Sequence, residues 1–254
     1  IKLFFQPAEE TVGGALPMIK EGVLENPYVD GVFGLHVDNS LENGQIGIKY
    51  GQMKAASDMI KIIIYGESSH GAYPQEGVDA ISIGGQLIVA LQTIVSRNID
   101  PRSSALVTIG TIKGGYTGNV IADKVEMRGI VRTLNEETRK LVLHRIKSMV
   151  HDIPNSMGGK GEFIRTEGYT ALINDDRMVD IVKKNGVEML GEENICEIAY
   201  PSYGVEDFAY FAKERPSAFF QLGSGNKEKG IIQGGHTPYF DIDEDCLVTG
   251  ILLQ

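Results

Sequence analysis

Apolar and polar positions along the chain separate into extended and helical runs whose order already suggests an architecture. Ile1 to Phe5 reads as an apolar strand that passes Pro7 and delivers two adjacent carboxylates, Glu9 and Glu10. Leu16, Met18 and Ile19 fit a short helix stopped at Gly22, and Val29 to Val37 reads as an apolar strand with His36 near its end. From Met53 the texture changes. Ile60–Tyr65 is a β-branched strand, Gly66 to Pro74 a polar loop, and Val78 to Arg97 a helix with a stripe of Ile81, Leu87, Ile88, Leu91 and Val95. Strands at Leu106 to Ile112 and Val125 to Arg132 follow. A second helix starts after Asn135 and buries Val142, Ile146, Met149, Val150 and Ile153, and Gly161 to Tyr169 supplies a last strand. Beyond it lie a helix from Arg177 to Leu190, a turn and helix near Phe208, a strand from Ala218 to Leu222, and a closing helix after Asp243.

The middle block has the order β-α-β-β-α-β, the split βαβ pattern of ferredoxin-like domains. The flanking blocks share α/β texture. The predicted fold class is therefore α/β: an α/β sandwich domain, incomplete at its N-terminus, interrupted by an inserted ferredoxin-like α+β domain. The expected boundaries are 1–54, 55–168 and 169–254. The chain begins and ends inside apolar runs, as expected for a piece of a longer protein.

Lys and Arg number 24 against 34 Asp and Glu, a net charge of −10, which disfavours nucleic acid and anionic membranes as partners. No uninterrupted apolar run approaches the ~20 residues that span a bilayer. Cys196 and Cys246, far apart, read as reduced thiols of a cytoplasmic protein.

Glu9 and Glu10 alone would pass for acids at a helix start. Neighbouring carboxylates on a turn point in different directions, however, so one can hold a metal while the other serves as a base. His36 alone would be a core histidine, but strand ends in α/β sheets are where sites assemble. His144 and His151 fall on the polar face of their helix and are expected in solvent. Glu206 and Asp207 either line a pocket or act as helix-start acids.

Phe-Gln-Pro-Ala-Glu-Glu10, Gly34-Leu-His-Val37, Ser69-His-Gly-Ala-Tyr-Pro74, Gly118-Asn-Val-Ile121, Gly204-x-Glu-Asp-Phe208 and His236-x-Pro238 occur in one order. Together they resemble the aminoacylase and carboxypeptidase family of metal-dependent amidohydrolases, in the branch of N-acyl-amino-acid, hippurate and auxin-conjugate hydrolases. The resemblance covers essentially the whole chain. It implies a catalytic α/β domain holding two divalent ions (zinc or manganese, with cobalt or nickel acceptable to the same donors) and an inserted lid through which a homodimer forms. It makes Glu9 the general base for a metal-activated water and Glu10, His36 and His236 metal ligands. His70 and Asn119 face the substrate, in many members from the neighbouring subunit, and Arg132 is a guanidinium for the substrate carboxylate. The substrate is then a small N-acyl amino acid or peptide-like conjugate.

The sequence departs from that family at several points. The family's upstream Cys-Gly-His-Asp-like segment, which supplies further ligands, lies outside these residues. Glu67-Ser68-Ser69 replaces a basic, glycine-rich approach, Gln75 stands where histidine is frequent, and Ala122 where proline is. The competing expectation is a non-catalytic dimerising or ligand-binding remnant whose metal site is incomplete.

Overall fold

The computed structural model describes all of residues 1–254, and the chain divides into two compact units, Ile1–Lys54 with Ala171–Gln254, and Ala55–Thr170. The first contains helix α1 (Ala15–Lys20) and strands β1 (Val32–Glu42), β2 (Ile46–Ile48) and β3 (Gly51–Lys54). The second contains β4 (Ala56–Tyr65), α2 (Ala80–Thr93), β5 (Ala105–Gly114), β6 (Lys124–Thr133), α3 (Glu136–Ser156) and β7 (Lys160–Glu167). The chain then returns to the first unit with β8 (Leu172–Asn174), α4 (Asp176–Leu190), β9 (Ile195–Glu197), α5 (Ala209–Glu214), β10 (Ser217–Gly225) and α6 (Cys246–Leu253).

In the first unit a mixed sheet runs β1-β10-β2-β9, and β3 pairs with β8. Strands β1 and β10 are parallel, with His36 opposite Gln221, so the histidine sits at a fixed register beside a strand buried at all but that one residue. Phe208, Phe211 and Phe219 pack on one side with Leu24, Met53 and Leu172, while Ile46, Ile48, Val179, Val182, Phe220 and Leu222 fill a second core. Gly34 is required where it stands: a Cβ there would lie 2.6 Å from the Phe208 ring. The expected strand Ile1 to Phe5 is not one. Residues 1–8 form no ladder, and Phe4 is held instead by its ring against Phe211, 5.4 Å between centroids.

In the second unit the four-stranded antiparallel sheet runs β5-β6-β4-β7. Counted within the unit this is the order 2-3-1-4 of the split βαβ arrangement. Helices α2 and α3 cover one face, where Ile60, Ile62, Ile64, Val125, Met127 and Val131 meet Ile83, Leu87, Leu91, Val142 and Ile146. Asp79 sets the phase of α2 by accepting from the Ile81 and Ser82 amides, which buries Ile83 and Ile94 and leaves Ile81 half exposed, contrary to the expected stripe. By length and composition alone Ala80–Asn98 would suffice to cross a membrane, unlike the uninterrupted runs considered above, yet one face of it is committed to this core. His144 and His151 are exposed, and His151 pairs with Asp152.

Candidate active site

The site grows from a tight turn. Ala8 adopts a left-handed conformation (φ 62°), and its carbonyl accepts from the amides of Thr11 and Gly13. The chain doubles back so closely that a Cβ on Gly14 would fall 2.1 Å from the Pro7 carbonyl oxygen. Glu9 and Glu10 project from this turn and separate, as adjacent residues on irregular backbone should. Glu10 meets His236, its Oε1 3.5 Å from Nε2. Glu9 turns toward Glu206 and Asp207, and the three carboxylates approach within 4.8 Å of one another.

These acids differ in what compensates them. Asp207 is fully buried, and its Oδ2 accepts from the amides of Gly14 (2.7 Å) and Ala15 (2.9 Å) while Oδ1 accepts from Gln6 Nε2 (2.7 Å). With three N–H donors on two oxygens in a closed setting, it is a well-satisfied buried acceptor, and its carboxylate also lies within the Glu9–Glu206 cluster. Glu206 is nearly as buried, accepts from the Phe208 amide and lies 3.6 Å from Lys54 Nζ. Burial pushes its carboxyl up, and the Lys54 ammonium opposes that. Lys54, which sequence reasoning overlooked, is held by a bridge to Ser202 and lies over the Phe219 ring. Burial, then the charges of Glu206, Glu10 and Asp207, raise Glu9 to about 7, against a smaller pull from Lys54.

His36 Nδ1 donates to the Val37 carbonyl at 2.7 Å, which leaves Nε2 with its lone pair, the tautomer a metal ligand needs. It is among the groups that interact electrostatically with Glu206, so it belongs to the same neighbourhood. The donor atoms that lie within 4.8 Å of one another are those of Glu9, Glu206 and Asp207, while Glu10 and His236 meet as a separate pair and His36 joins through Glu206. These carboxylate and imidazole atoms are of the type divalent cations take, and the carboxylates outnumber the one ammonium among them.

In the second unit the loops after β4 and before β6 zip together. The Gly71 amide donates to the Asn119 carbonyl, the Ile121 amide donates to the Ser69 carbonyl, and His70 bridges to Val120. This brings His70 and Asn119 side by side, both exposed. His70 Nδ1 accepts from the Ala72 amide at 3.0 Å, which leaves the ring hydrogen on Nε2 as a donor. Arg132 is not brought to them. It stands opposite Ser57, eight residues along β6 from Lys124, about 26 Å at the usual rise of a strand. Burial lowers its pKa, and its Nη1 is buried with no hydrogen-bond partner.

The first unit thus gathers an acidic pair on a left-handed turn, a carboxylate–imidazole contact and a carboxyl raised toward neutrality. Comparison with known proteins gives the family. The family model of peptidases M20/M25/M40 matches residues 1–253, and the chain belongs to that family. It is 38% identical over 248 residues to the N-acetyl-L-cysteine deacetylase of Bacillus subtilis, covering 98% of this chain and 57% of that protein. It is 36% identical over 258 residues to the IAA-amino acid hydrolase ILR1-like 4 of Arabidopsis thaliana, covering 100% of this chain and 58% of that one. Among solved structures it resembles the Bacillus subtilis YXEP protein, described as a dinuclear metal binding peptidase of the M20 family. There the TM-score is 0.79 and the identity 29%, over 98% of this chain and 61% of that one. The chain thus spans less than two thirds of the length of these relatives.

Proposed function

We propose that this chain is part of a metal-dependent amidohydrolase that cleaves the amide bond of N-acyl amino acids or small peptide-like conjugates. The observation that carries the reading is the division of labour on one turn, Glu10 against His236 and Glu9 set apart with a pKa of about 7. A base poised there can take a proton from water and return it to a departing amine near neutral pH. The names of the two curated relatives, an N-acetyl-amino-acid deacetylase and an amino-acid-conjugate hydrolase, point to the same bond.

Glu10, His36 and His236 would hold divalent ions, of which two are expected in the full-length protein, zinc or manganese by donor type, with cobalt or nickel also acceptable. When bound, such ions polarise a carbonyl and acidify water. Glu9 moves the proton. The His70 Nε2 hydrogen and the Asn119 amide are donors suited to the oxyanion that forms at the attacked carbonyl. Arg132, with a buried guanidinium nitrogen in want of an acceptor, suits a substrate carboxylate. One small substrate cannot touch both ends of β6. The two sets are therefore proposed to serve different substrate molecules in a homodimer formed through the second unit, which acts as lid. Cytoplasmic residence is proposed on the two unpaired thiols.

The test is Glu9→Gln in the full-length protein, assayed on a panel of N-acetyl and N-benzoyl amino acids with manganese or zinc. Loss of a general base lowers kcat by roughly 10²–10⁴-fold. Wild-type turnover in Glu9→Gln would refute the base assignment. Hydrolysis of no member of the panel, together with no stoichiometric metal, would leave the non-catalytic reading standing.

A further inference from the structure

We propose that Asp207 is a positioning residue for the catalytic turn, and that Gln6 is its partner. The inference rests on the hydrolase reading above but concerns a different question, namely what holds Glu9 and Glu10 in place. Asp207 is fully buried immediately ahead of α5, far from the turn in sequence. Its carboxylate grips the turn on both sides. On the entering side it takes the Gln6 side-chain amide at 2.7 Å, and on the leaving side the Gly14 and Ala15 amides at 2.7 and 2.9 Å. Everything between, including Glu9 and Glu10, is a loop whose two ends are tied to one buried carboxylate. Only one internal tie is needed to complete the loop, and the Ala8 carbonyl provides it through Thr11 and Gly13.

The adjacent Glu206, whose carboxylate stays within 4.8 Å of those of Asp207 and Glu9, takes different partners, the Lys54 ammonium and the Phe208 amide. Two consecutive acids thus divide the work: Glu206 faces the site and Asp207 holds the loop that builds it. A carboxylate suits that task because both oxygens accept and neither donates, so three N–H groups converge on it without conflict. Without it the buried Gly14 and Ala15 amides have no acceptor, and the loop relaxes away from its position.

The experiment compares wild type, Asp207→Asn and Gln6→Leu in the full-length protein. Its readouts are circular dichroism, thermal midpoint, manganese titration by calorimetry, and kcat with KM on whichever N-acyl amino acid the wild type hydrolyses. Asp207→Asn keeps the shape and one acceptor oxygen but sets an amide against the Gln6 amide. The expected result is a folded protein whose manganese affinity falls about 10–100-fold, as for other residues that orient metal ligands from behind. Its kcat falls up to about 100-fold with KM little changed, since the reacting groups are displaced rather than the substrate lost. Gln6→Leu, at a half-exposed position, folds and shows a smaller change in the same two quantities. A lowered thermal midpoint with wild-type manganese affinity and wild-type kcat per folded molecule would overturn the proposal. If Asp207→Asn does not fold, wild-type values in Gln6→Leu overturn it equally. Manganese affinity reads the loop without turnover, so failure of the substrate panel refutes the substrate class while the affinity ratio still decides the role of Asp207.

Discussion

Asp58 is the buried charge on which the second unit depends most. It lies on the central strand β4, about 1% exposed. It accepts from Arg139 Nε at 2.8 Å, Arg139 Nη2 at 3.0 Å and Arg165 Nε at 2.6 Å. Arg139 is itself 3% exposed and also donates to the Ser57 carbonyl. Replacing Asp58 by alanine strands a buried guanidinium, which costs ~3–5 kcal/mol in comparable pairs. Glu136 and Glu167 stand 3.6 Å from Arg139 but are more than half exposed, so each recovers only a fraction of a kcal/mol. The lower end, about 3 kcal/mol, is the expected loss. For a domain of this size that lowers the midpoint of the unit's transition by about 12 °C, read by scanning calorimetry on the full-length protein. Arg165→Ala, whose side chain is 32% exposed and whose removal leaves Asp58 still paired with Arg139, should cost only about 1–2 kcal/mol. Asp58→Leu combined with Arg139→Met should recover most of the loss, because a packed apolar pair carries no desolvation cost. An Asp58→Ala midpoint within about 3 °C of wild type would refute the view that this carboxylate neutralises Arg139.

Three further outcomes follow from particular contacts. Gly14→Ala places a methyl group 2.1 Å from the Pro7 carbonyl oxygen, so the turn must open. Activity should fall by about 10-fold or more, with far-ultraviolet circular dichroism unchanged. Glu9, raised from 4.5 to about 7 by burial and neighbouring acids, is protonated in the folded metal-free protein where the unfolded chain has already released its proton. The stabilisation is therefore fully present below pH 4.5 and lost as pH rises through about 7, shallowly because solvent screens the group. Urea midpoints measured in chelator should fall with rising pH more steeply in wild type than in Glu9→Gln, where only Glu206 keeps a raised carboxyl. The outer face of α2 carries Ser82, Gly85, Gln86 and the 68% exposed Val89, without one charge from Ala80 to Ser96, beside the edge strand β5. For the homodimer proposed above, Val89→Asp should shift the full-length protein toward monomer in sedimentation, and an unchanged distribution would refute a dimer contact through this face.

The long elements were legible because their patterning is strong and their caps are explicit. Asn135 accepts from the Thr138 amide and Asp175 from that of Arg177, so α3 and α4 begin where the acids stand. Strands β2, β3, β8 and β9 were not legible. Each has only three or four residues, and their ladders to neighbours distant in sequence, such as Ile46 opposite Ile195, are what make them strands. Ile1 to Phe5 failed in the other direction. Its residues have every local preference for a strand, but propensity forms no ladder without a partner. On α2 the apolar residues are dense enough to support more than one stripe, and only the Asp79 cap decides between Ile81 and Ile83.

Within the site, legibility tracked how much a role depends on local geometry. That Glu9 and Glu10 meet different partners needs only that adjacent residues on a turn diverge. The contact between Glu10 and His236 joins residues more than two hundred positions apart, and nothing short of the family's ordered motifs could have anticipated it. Lys54 carried no signal of its own, and Asp207 only the choice between lining a pocket and starting a helix. A lysine ending a strand is ordinarily a solvated charge, and an acid before a helix ordinarily caps that helix. Here the lysine compensates Glu206, and the acid caps a different helix, α1, across the unit. Both perform work that the acidic cluster itself creates. Carboxylates packed closely enough to hold a cation repel one another, so the same turn that concentrates the ligands requires a buried ammonium and a rigid anchor to keep it folded.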